Sequence, residues 1–292
     1  MFDVKRHSAT LLSFPFAFVI FAFFVVPLCL VIMVSFWDYN SYSIIPDFIF
    51  TNYQDIFYGC VKSLPDLCTS FATYISSLKF VFITWLITLL TGFLVALFLV
   101  FCVSTLQMQI VLFLLCTIPF WTSNVIRMIS WIPLLGRNGL VNAGLVDTGL
   151  INEPLEWLLY SEFAVIIAFV HLYTLFMVVP IFNSMMRIDR SLLEAAYDTG
   201  ASTWQTLFNV IIPLCRPGII IGSIFVVTIV MGDFITIGVM GGQQIASVGK
   251  IINVEMQYLQ FPAAAANAVI LIFTTLMIIF GMTRIVDVRK EL

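Results

Sequence analysis

Arg127, His171 and Asp233 lie deep inside long apolar runs of this 292-residue sequence. A charge at the centre of a bilayer costs about 2.5–3.5 kcal/mol on insertion scales, so each of these groups needs a specific explanation. The carboxylate of Asp233 can bind a cation, or it can neutralise Arg127 in a structural ion pair, and the sequence favours neither interpretation. Hydrolysis by His171 and Asp233 is a third hypothesis, but it lacks a paired carboxylate, a metal cluster and a recognisable nucleophile.

The three groups are predicted to share one depth in the membrane. At 1.5 Å per helical residue from the inner end of its run, Asp233 lies at about 24 Å, Arg127 at about 27 Å and His171 at about 22 Å. All three therefore fall in the outer half of the bilayer, where a common aqueous cavity is plausible. Phe120 and Trp121 precede Arg127 on the same run and could add cation–π contacts of about 0.5–2 kcal/mol each.

The composition defines the class of protein that carries these groups. The chain is 61% hydrophobic and 10% charged, whereas soluble domains carry roughly 25% charged residues. Its mean hydropathy is +1.08 and its isoelectric point about 5.3. These values exclude a soluble enzyme, a disordered linker protein and a nucleic-acid-binding protein. They predict an all-α polytopic membrane protein in contact with the lipid bilayer.

Six apolar runs reach the roughly 20 residues that a spanning helix needs. They cover residues 11–37, 74–103, 110–132, 163–186, 218–240 and 264–286, within a single transmembrane domain of residues 1–292. The first run is too long for a signal peptide and ends at no small-residue cleavage site, so we expect it to be retained. The lysines and arginines that lie outside the runs favour one side of the membrane, which predicts that both termini are cytoplasmic.

The cytoplasmic loop of residues 187–217 contains two patterns that start helices. Ser191 with Glu194, and Ser202 with Gln205, each have the spacing of a capping box. Gly200 between them is predicted to adopt the left-handed conformation that closes a helix. We therefore expect two short helices joined by a tight turn, the second of them ended by a proline at position 213.

Two interpretations of this loop remain open, an ordinary helical surface loop and a docking site for a partner protein. The acidic Glu194, followed by the small Ala195 and Ala196, allows another backbone to approach closely and favours docking. The external loop of residues 133–162 is predicted to form part of a second docking surface, on the other side of the membrane. We expect it to contain a short interfacial helix that begins at Pro154. Cys60 and Cys68 share the first external loop, where a disulfide and two free thiols are both possible.

These motifs resemble those of a known family. Glu194-Ala195-Ala196, with Gly200 and the Ile212-Pro213 pair further on, resembles the EAA loop of ABC-importer permeases. Residues 119–124 with Arg127, residues 136–142, and residues 232–234 with 241–242 resemble the spermidine/putrescine-type permeases. Within that family they are most like the first of the two permeases that such systems encode.

The resemblance implies a six-helix type I ABC-importer transmembrane domain in the bacterial cytoplasmic (inner) membrane. It implies a heterodimer with a second permease subunit, two copies of a cytoplasmic ABC ATPase and a periplasmic solute-binding protein. ATP and Mg would be bound by the ATPase, so this chain would be non-catalytic and hold no cofactor or metal. The residues that the resemblance assigns to ATPase coupling are Glu194, Ala195, Ala196, Asp198, Gly200 and Trp204. Those assigned to the substrate pathway are Asp233, Arg127, Trp121, Phe120 and His171.

Two alternative functions remain beside import of a polyamine. Relatives with similar motifs import other small solutes, such as opines, amino-acid-like compounds or phosphonates. A stand-alone secondary transporter would bind its substrate at broken helices near the midplane. No internal repeat supports that alternative, and the elaborate cytoplasmic loop weighs against it.

Overall fold

The computed structural model describes residues 14–40, 43–58, 60 and 68–285. Thirteen helices are distinguished in this part of the chain. They are α1 (Phe14–Val34), α2 (Thr51–Ile56), α3 (Thr69–Cys102), α4 (Leu106–Trp121), α5 (Asn124–Ile129), α6 (Ile132–Leu135), α7 (Leu140–Asp147), α8 (Glu162–Met185), α9 (Arg190–Asp198), α10 (Thr203–Gly232), α11 (Ile235–Met240), α12 (Val248–Gln257) and α13 (Phe261–Ile285). A two-stranded antiparallel hairpin pairs β1 (Asp38–Tyr39) with β2 (Ile44–Ile45).

The helices confirm the predicted all-α polytopic membrane fold. α1, α3, α8, α10 and α13 are each long and apolar enough to cross a membrane. The bent pair that α4 forms with the helices after it, which meet at an angle of 90°, makes a sixth when the pair counts as one span. The chain divides into two compact units, one built from residues up to 71 with 251–273, the other from 72–250 with the residues from 274 onward.

The third predicted span is therefore not a straight helix over residues 110–132. α4 tightens into a 3₁₀ turn that contains Pro119, and Thr122 and Ser123 are extended before α5 begins. Proline lacks the N–H that would continue the helical hydrogen-bond ladder, which favours a break at this point. The break separates Phe120 and Trp121 from Arg127, which the sequence alone had placed on one continuous helix.

The fifth span also differs from its prediction, at both ends. α10 begins at Thr203 and runs through Pro213 and Pro217 without ending, so the predicted stop at residue 213 is wrong. A π-helical segment, Leu207–Ile211, comes just before Pro213 and places the proline in the first turn of the next α-helical segment. There its missing N–H disturbs the ladder least. At the outer end α10 stops at Gly232, and α11 is a separate helix.

Small residues explain how α10 packs against α8. A Cβ atom at Gly218 would lie 2.5 Å from the carbonyl oxygen of Pro180, and one at Gly222 would lie 2.8 Å from the sulfur of Met177. Two glycines four residues apart therefore let the helix backbones approach closely, as small residues do in membrane bundles. Met177 is fully buried at this contact. This pairing forms the core of the second unit.

In the first unit, the segment that follows α1 folds back onto the end of that helix. The side-chain amide of Asn52 donates to the carbonyl oxygens of Ser35 (3.0 Å) and Trp37 (2.8 Å), and the hydroxyls of Ser35 and Tyr53 are 2.7 Å apart. A disulfide joins Cys60 to Cys68, which decides between the two possibilities left open by the sequence. The spanning helix α1 itself has no buried side chain in the part of the chain described.

Candidate functional site

The loop of residues 187–217 forms the predicted helix–turn–helix, but its first helix begins earlier than expected. We call it the coupling loop, after the role that the resemblance implies. The cap of α9 is Asp189, whose carboxylate accepts a hydrogen bond of 3.0 Å from the backbone N–H of Ser191. That hydrogen bond lowers the pKa of Asp189. The capping box predicted for Ser191 and Glu194 is therefore wrong, because Arg190 is already helical. A charged carboxylate at Asp189 also suits the positive end of the helix.

The turn and the second helix agree with their predictions. Gly200 has φ +83°, and the N–H groups of Gly200 and Ala201 bond back to the carbonyl oxygens of Tyr197 (2.9 Å) and Ala196 (3.0 Å). This is the pair of hydrogen bonds of a Schellman motif, which left-handed glycine commonly closes. The second capping box is complete, since Ser202 and Gln205 bond each other's backbone N–H.

The surface that the coupling loop presents is exposed and mixed in character. No residue of α9 is buried, and Glu194, Ala195 and Asp198 are exposed while Ala196 is intermediate. At the start of α10 the ring of Trp204 stacks on another exposed aromatic ring, with 6.1 Å between their centroids. Acidic, small and aromatic side chains thus lie together on a surface that the described part of the chain leaves open.

The break between α10 and α11 holds one of the pathway candidates. Asp233 lies in this break, and its Oδ1 accepts from the backbone N–H of Thr236 at 2.9 Å. Its Oδ2 accepts from the hydroxyl of Thr236 at 2.6 Å and from the hydroxyl of Tyr173 on α8. The carboxylate is half-buried, whereas Tyr173 is buried at 3% exposure. Three donors therefore hold it, and all three are neutral.

Arg127 is buried on α5 but is not paired with Asp233. Its guanidinium donates to the side-chain oxygen of Asn124, and its Nε has no partner. The ion pairs found among the described residues join Lys79 to Glu162 and Arg137 to Glu156. The structural Arg127–Asp233 pair, which the sequence left open, is therefore not formed in this structure.

The remaining pathway candidates lie outside this cluster. Trp131 donates from its indole N–H to Nδ1 of His171 at 3.1 Å. The ring of Phe120 packs edge-on against Phe176, with 5.5 Å between centroids. Trp121 is 77% exposed. None of His171, Phe120 and Trp121 lines the cavity beside Asp233.

That cavity has a volume of about 240 Å³. Its polar walls come from Asn124, Tyr173, Asp233 and Thr236. No local sequence pattern indicated Tyr173, because its partner Asp233 lies 60 positions further along the chain. Thr236 could have been found from the sequence. Asp233 follows a glycine and precedes Thr236 by three residues, which is the pattern of a residue that caps the start of a helix.

The loop of residues 133–162 has its helix in a different place from the one predicted. α7 lies in the glycine-rich half, and Pro154 begins no helix within the described residues 148–161. The buried side chain of Asn142 donates to the carbonyl oxygens of Gly136 (3.1 Å) and Leu155 (3.0 Å) and accepts from the N–H of Leu155 (2.8 Å). Because both backbone groups of Leu155 are held in this way, the segment around Leu155 is an ordered loop that joins α7 to α8.

The whole arrangement is the fold of an ABC-importer transmembrane subunit. One chain of a bacterial ABC transporter involved in the import of the acidic polysaccharide alginate superposes with a TM-score of 0.73, covering 97% of this chain and 96% of that one at 17% identity. A second structure, a bacterial alginate ABC transporter in complex with an alginate pentasaccharide-bound periplasmic protein, gives 0.72 at 18% identity. At these identities the likeness shows the fold.

Closer sequence relatives confirm the resemblance to polyamine-type permeases, although the chain matches no family model. It is 37% identical over 183 residues to the spermidine/putrescine transport system permease protein PotB of Escherichia coli (strain K12), covering 62% of this chain and 64% of that one. The same-named protein of Haemophilus influenzae is 40% identical over 144 residues, 49% of this chain and 50% of that one. The chain thus spans between half and just under two thirds of these relatives.

Proposed function

We propose that this chain is a transmembrane permease subunit of an ATP-driven, binding-protein-dependent importer of polyamines such as spermidine or putrescine. The observation that carries the proposal is the 37% identity over 183 residues to PotB, a spermidine/putrescine permease. The fold of an ABC-importer subunit over 97% of the chain supports it. The inner membrane is then its location, with five spanning helices and one bent pair crossing the bilayer.

The partners follow from the same proposal. The exposed helix–turn–helix of α9 and the start of α10 would dock on a cytoplasmic ABC ATPase, present in two copies. A second permease would complete the heterodimer, and a periplasmic solute-binding protein would deliver the polyamine at the external loops. In this arrangement ATP and Mg belong to the ATPase, and the permease moves solute without catalysing a reaction.

A carboxylate inside the membrane fits a cationic solute. Asp233 offers a negative charge in the break of a spanning helix, beside a cavity lined by both polar and apolar side chains. A site that binds weakly lets a cation enter and also leave, which is what conduction through a membrane requires. This chemistry distinguishes polyamines from neutral or anionic solutes.

Reconstituted transport tests the proposal. The complete complex, with its second permease, ATPase and binding protein, is placed in liposomes with ATP inside the compartment that holds the ATPase. Accumulation of labelled spermidine or putrescine that depends on both ATP and the binding protein is the expected result. A complex that assembles, hydrolyses ATP and transports an amino-acid-like or phosphonate compound but no polyamine would contradict the proposal.

A further inference from the structure

Asp233 takes part in no ion pair with the described residues. Its three hydrogen-bond donors are the neutral hydroxyls of Tyr173 and Thr236 and the backbone N–H of Thr236. Among the described residues, no lysine, arginine or histidine nitrogen lies within 4.0 Å of its oxygens. An ionised carboxylate has about four lone-pair sites and three are used. One acceptor position on Oδ1, and the negative charge, are therefore available to a ligand.

Tyr173 is fixed independently of the carboxylate. Its ring is buried at 3% exposure and stacks on Phe169, with 5.8 Å between centroids and an angle of 29° between planes. Phe176 adds a second ring at 6.2 Å. A hydroxyl carried on a packed ring has little freedom to move, so its hydrogen bond sets the position of the Asp233 carboxylate.

The cavity next to this carboxylate is small and has two kinds of wall. Its volume of about 240 Å³ lies below the roughly 300–1,000 Å³ of pockets that enclose a drug-sized ligand. Apolar side chains, among them Val125, Met128 and Ile229, line it together with the polar groups. An ammonium group with a short methylene chain matches this mixed lining, whereas the space is too small for a sugar chain.

From this geometry we infer that Asp233, Tyr173 and Thr236 form a subsite for one protonated primary amine of a linear polyamine. Tyr173 and Thr236 are positioning residues, which hold the carboxylate so that Oδ1 receives the ammonium. The methylene chain extends along Val125, Met128 and Ile229. This inference rests on the proposed polyamine function, and it assigns recognition to one amine at a time instead of to the whole molecule.

The neutral donors have a functional consequence of their own. A lysine or arginine in the place of Tyr173 would neutralise Asp233 and remove the attraction for an ammonium ion. Tyr173 orients the carboxylate without cancelling its charge. A single carboxylate also binds one amine only moderately, so the polyamine can move on to the next position along its path.

The test uses the complete importer in liposomes at a saturating concentration of putrescine-loaded binding protein. Putrescine taken up per ATP hydrolysed is measured, because a merely structural defect lowers assembly and ATPase activity together and leaves this ratio unchanged. Tyr173→Phe removes one hydrogen bond to a charged group, so we expect it to lower this ratio about tenfold. Thr236→Val is expected to act in the same direction, and Thr236→Ser, which keeps the hydroxyl, to stay near the wild-type value.

Tyr258→Phe is the matched control, since Tyr258 is 73% exposed and is not among the residues that line the cavity. A Tyr173→Phe complex with the wild-type ratio, beside an Asp233→Asn complex that has lost uptake, would overturn the positioning role. Unchanged uptake in Asp233→Asn would overturn the subsite. If Tyr173→Phe fails to assemble, equal wild-type ratios in Thr236→Val and Thr236→Ser would overturn the inference. Failure of the wild-type complex to take up any polyamine would instead contradict the proposed function.

Discussion

At the scale of single residues, the structure separates two charges that the sequence could not. Arg127 and Asp233 were predicted at one depth, but depth fixes only one of three coordinates. The break after α4 and the break after α10 turn the two side chains toward different partners, Asn124 for Arg127 and Tyr173 for Asp233. The intramembrane positions of the charges were predictable from hydropathy. Their partners were not, because partner choice depends on helix bends.

This separation predicts distinct effects for two substitutions. Asp233→Asn is expected to leave assembly of the complex at the wild-type level and to cut polyamine uptake, because no cation loses its partner. Asn124→Ala is expected to lower the yield of assembled complex, since a buried guanidinium that loses its acceptor costs about 1–3 kcal/mol or more. Size-exclusion chromatography of the purified complex measures assembly, and liposome uptake measures transport.

One pair of results would contradict this prediction. If Asp233→Asn destroys the complex and Arg127→Gln added to it restores both assembly and full uptake, the two side chains form an ion pair during the transport cycle. The substrate role of Asp233 would then be wrong.

Asn142 carries a second prediction at this scale. Its side chain makes three hydrogen bonds while only 1% exposed, so Asn142→Ala leaves buried backbone groups of Gly136 and Leu155 without partners. A destabilisation of about 1–3 kcal/mol is expected, measured as a lower thermal unfolding midpoint of the purified complex. Asp147→Ala at the exposed end of α7 is the control. Equal midpoints in the two variants would contradict a structural role for Asn142.

At the scale of helices, the coupling loop shows what a local pattern can and cannot predict. The turn at Gly200 and the capping box at Ser202 were predicted correctly, because both depend on side chains within four residues. The start of α9 was misplaced, since two capping residues competed and the earlier one, Asp189, offers the charged acceptor. The continuation of α10 through Pro213 was missed because a π-helical segment has no simple sequence pattern.

The turn itself can be tested by a pair of substitutions. Gly200 has φ +83° and no atom within 4 Å of the position of a Cβ, so a side chain there meets conformational strain and no clash. Gly200→Val is expected to cost about 1–2 kcal/mol and to misplace α9 relative to α10. Asparagine tolerates the left-handed region better than valine, so Gly200→Asn is expected to cost less free energy.

Co-purification of the ATPase with each variant in detergent measures the effect. Less ATPase bound to the valine variant than to the asparagine variant supports docking at this loop. Normal binding and normal transport in both would show that the turn is not part of the ATPase contact.

At the scale of the whole molecule, the orientation in the membrane is the open prediction. Hydropathy gave six crossings, and the helices agree with that number when the bent pair counts as one. The excess of lysine and arginine on one side predicts that the coupling loop faces the cytoplasm. The side of the membrane that this loop faces is decided by a chemical test.

Membrane-impermeant thiol labelling of intact cells provides it. Asp147→Cys in the external loop is expected to react in intact cells, and Asp198→Cys in the coupling loop to react only after the cells are permeabilised. Both positions are exposed, so accessibility within the protein is matched. Labelling of Asp198→Cys in intact cells would reverse the proposed orientation.

The bare surface of α1 has a consequence for how this sequence can vary. Half of the most apolar window of α8 is buried inside the chain, but none of the corresponding window of α1 is. Its own chain therefore constrains α1 through hydropathy and length, and exchanges among apolar residues leave the fold of an isolated subunit unchanged. In saturation mutagenesis, every position of α1 that is surrounded by lipid would then tolerate exchange among apolar residues. Any stripe of intolerant positions along α1 would map the footprint of a neighbouring polypeptide in the assembled importer.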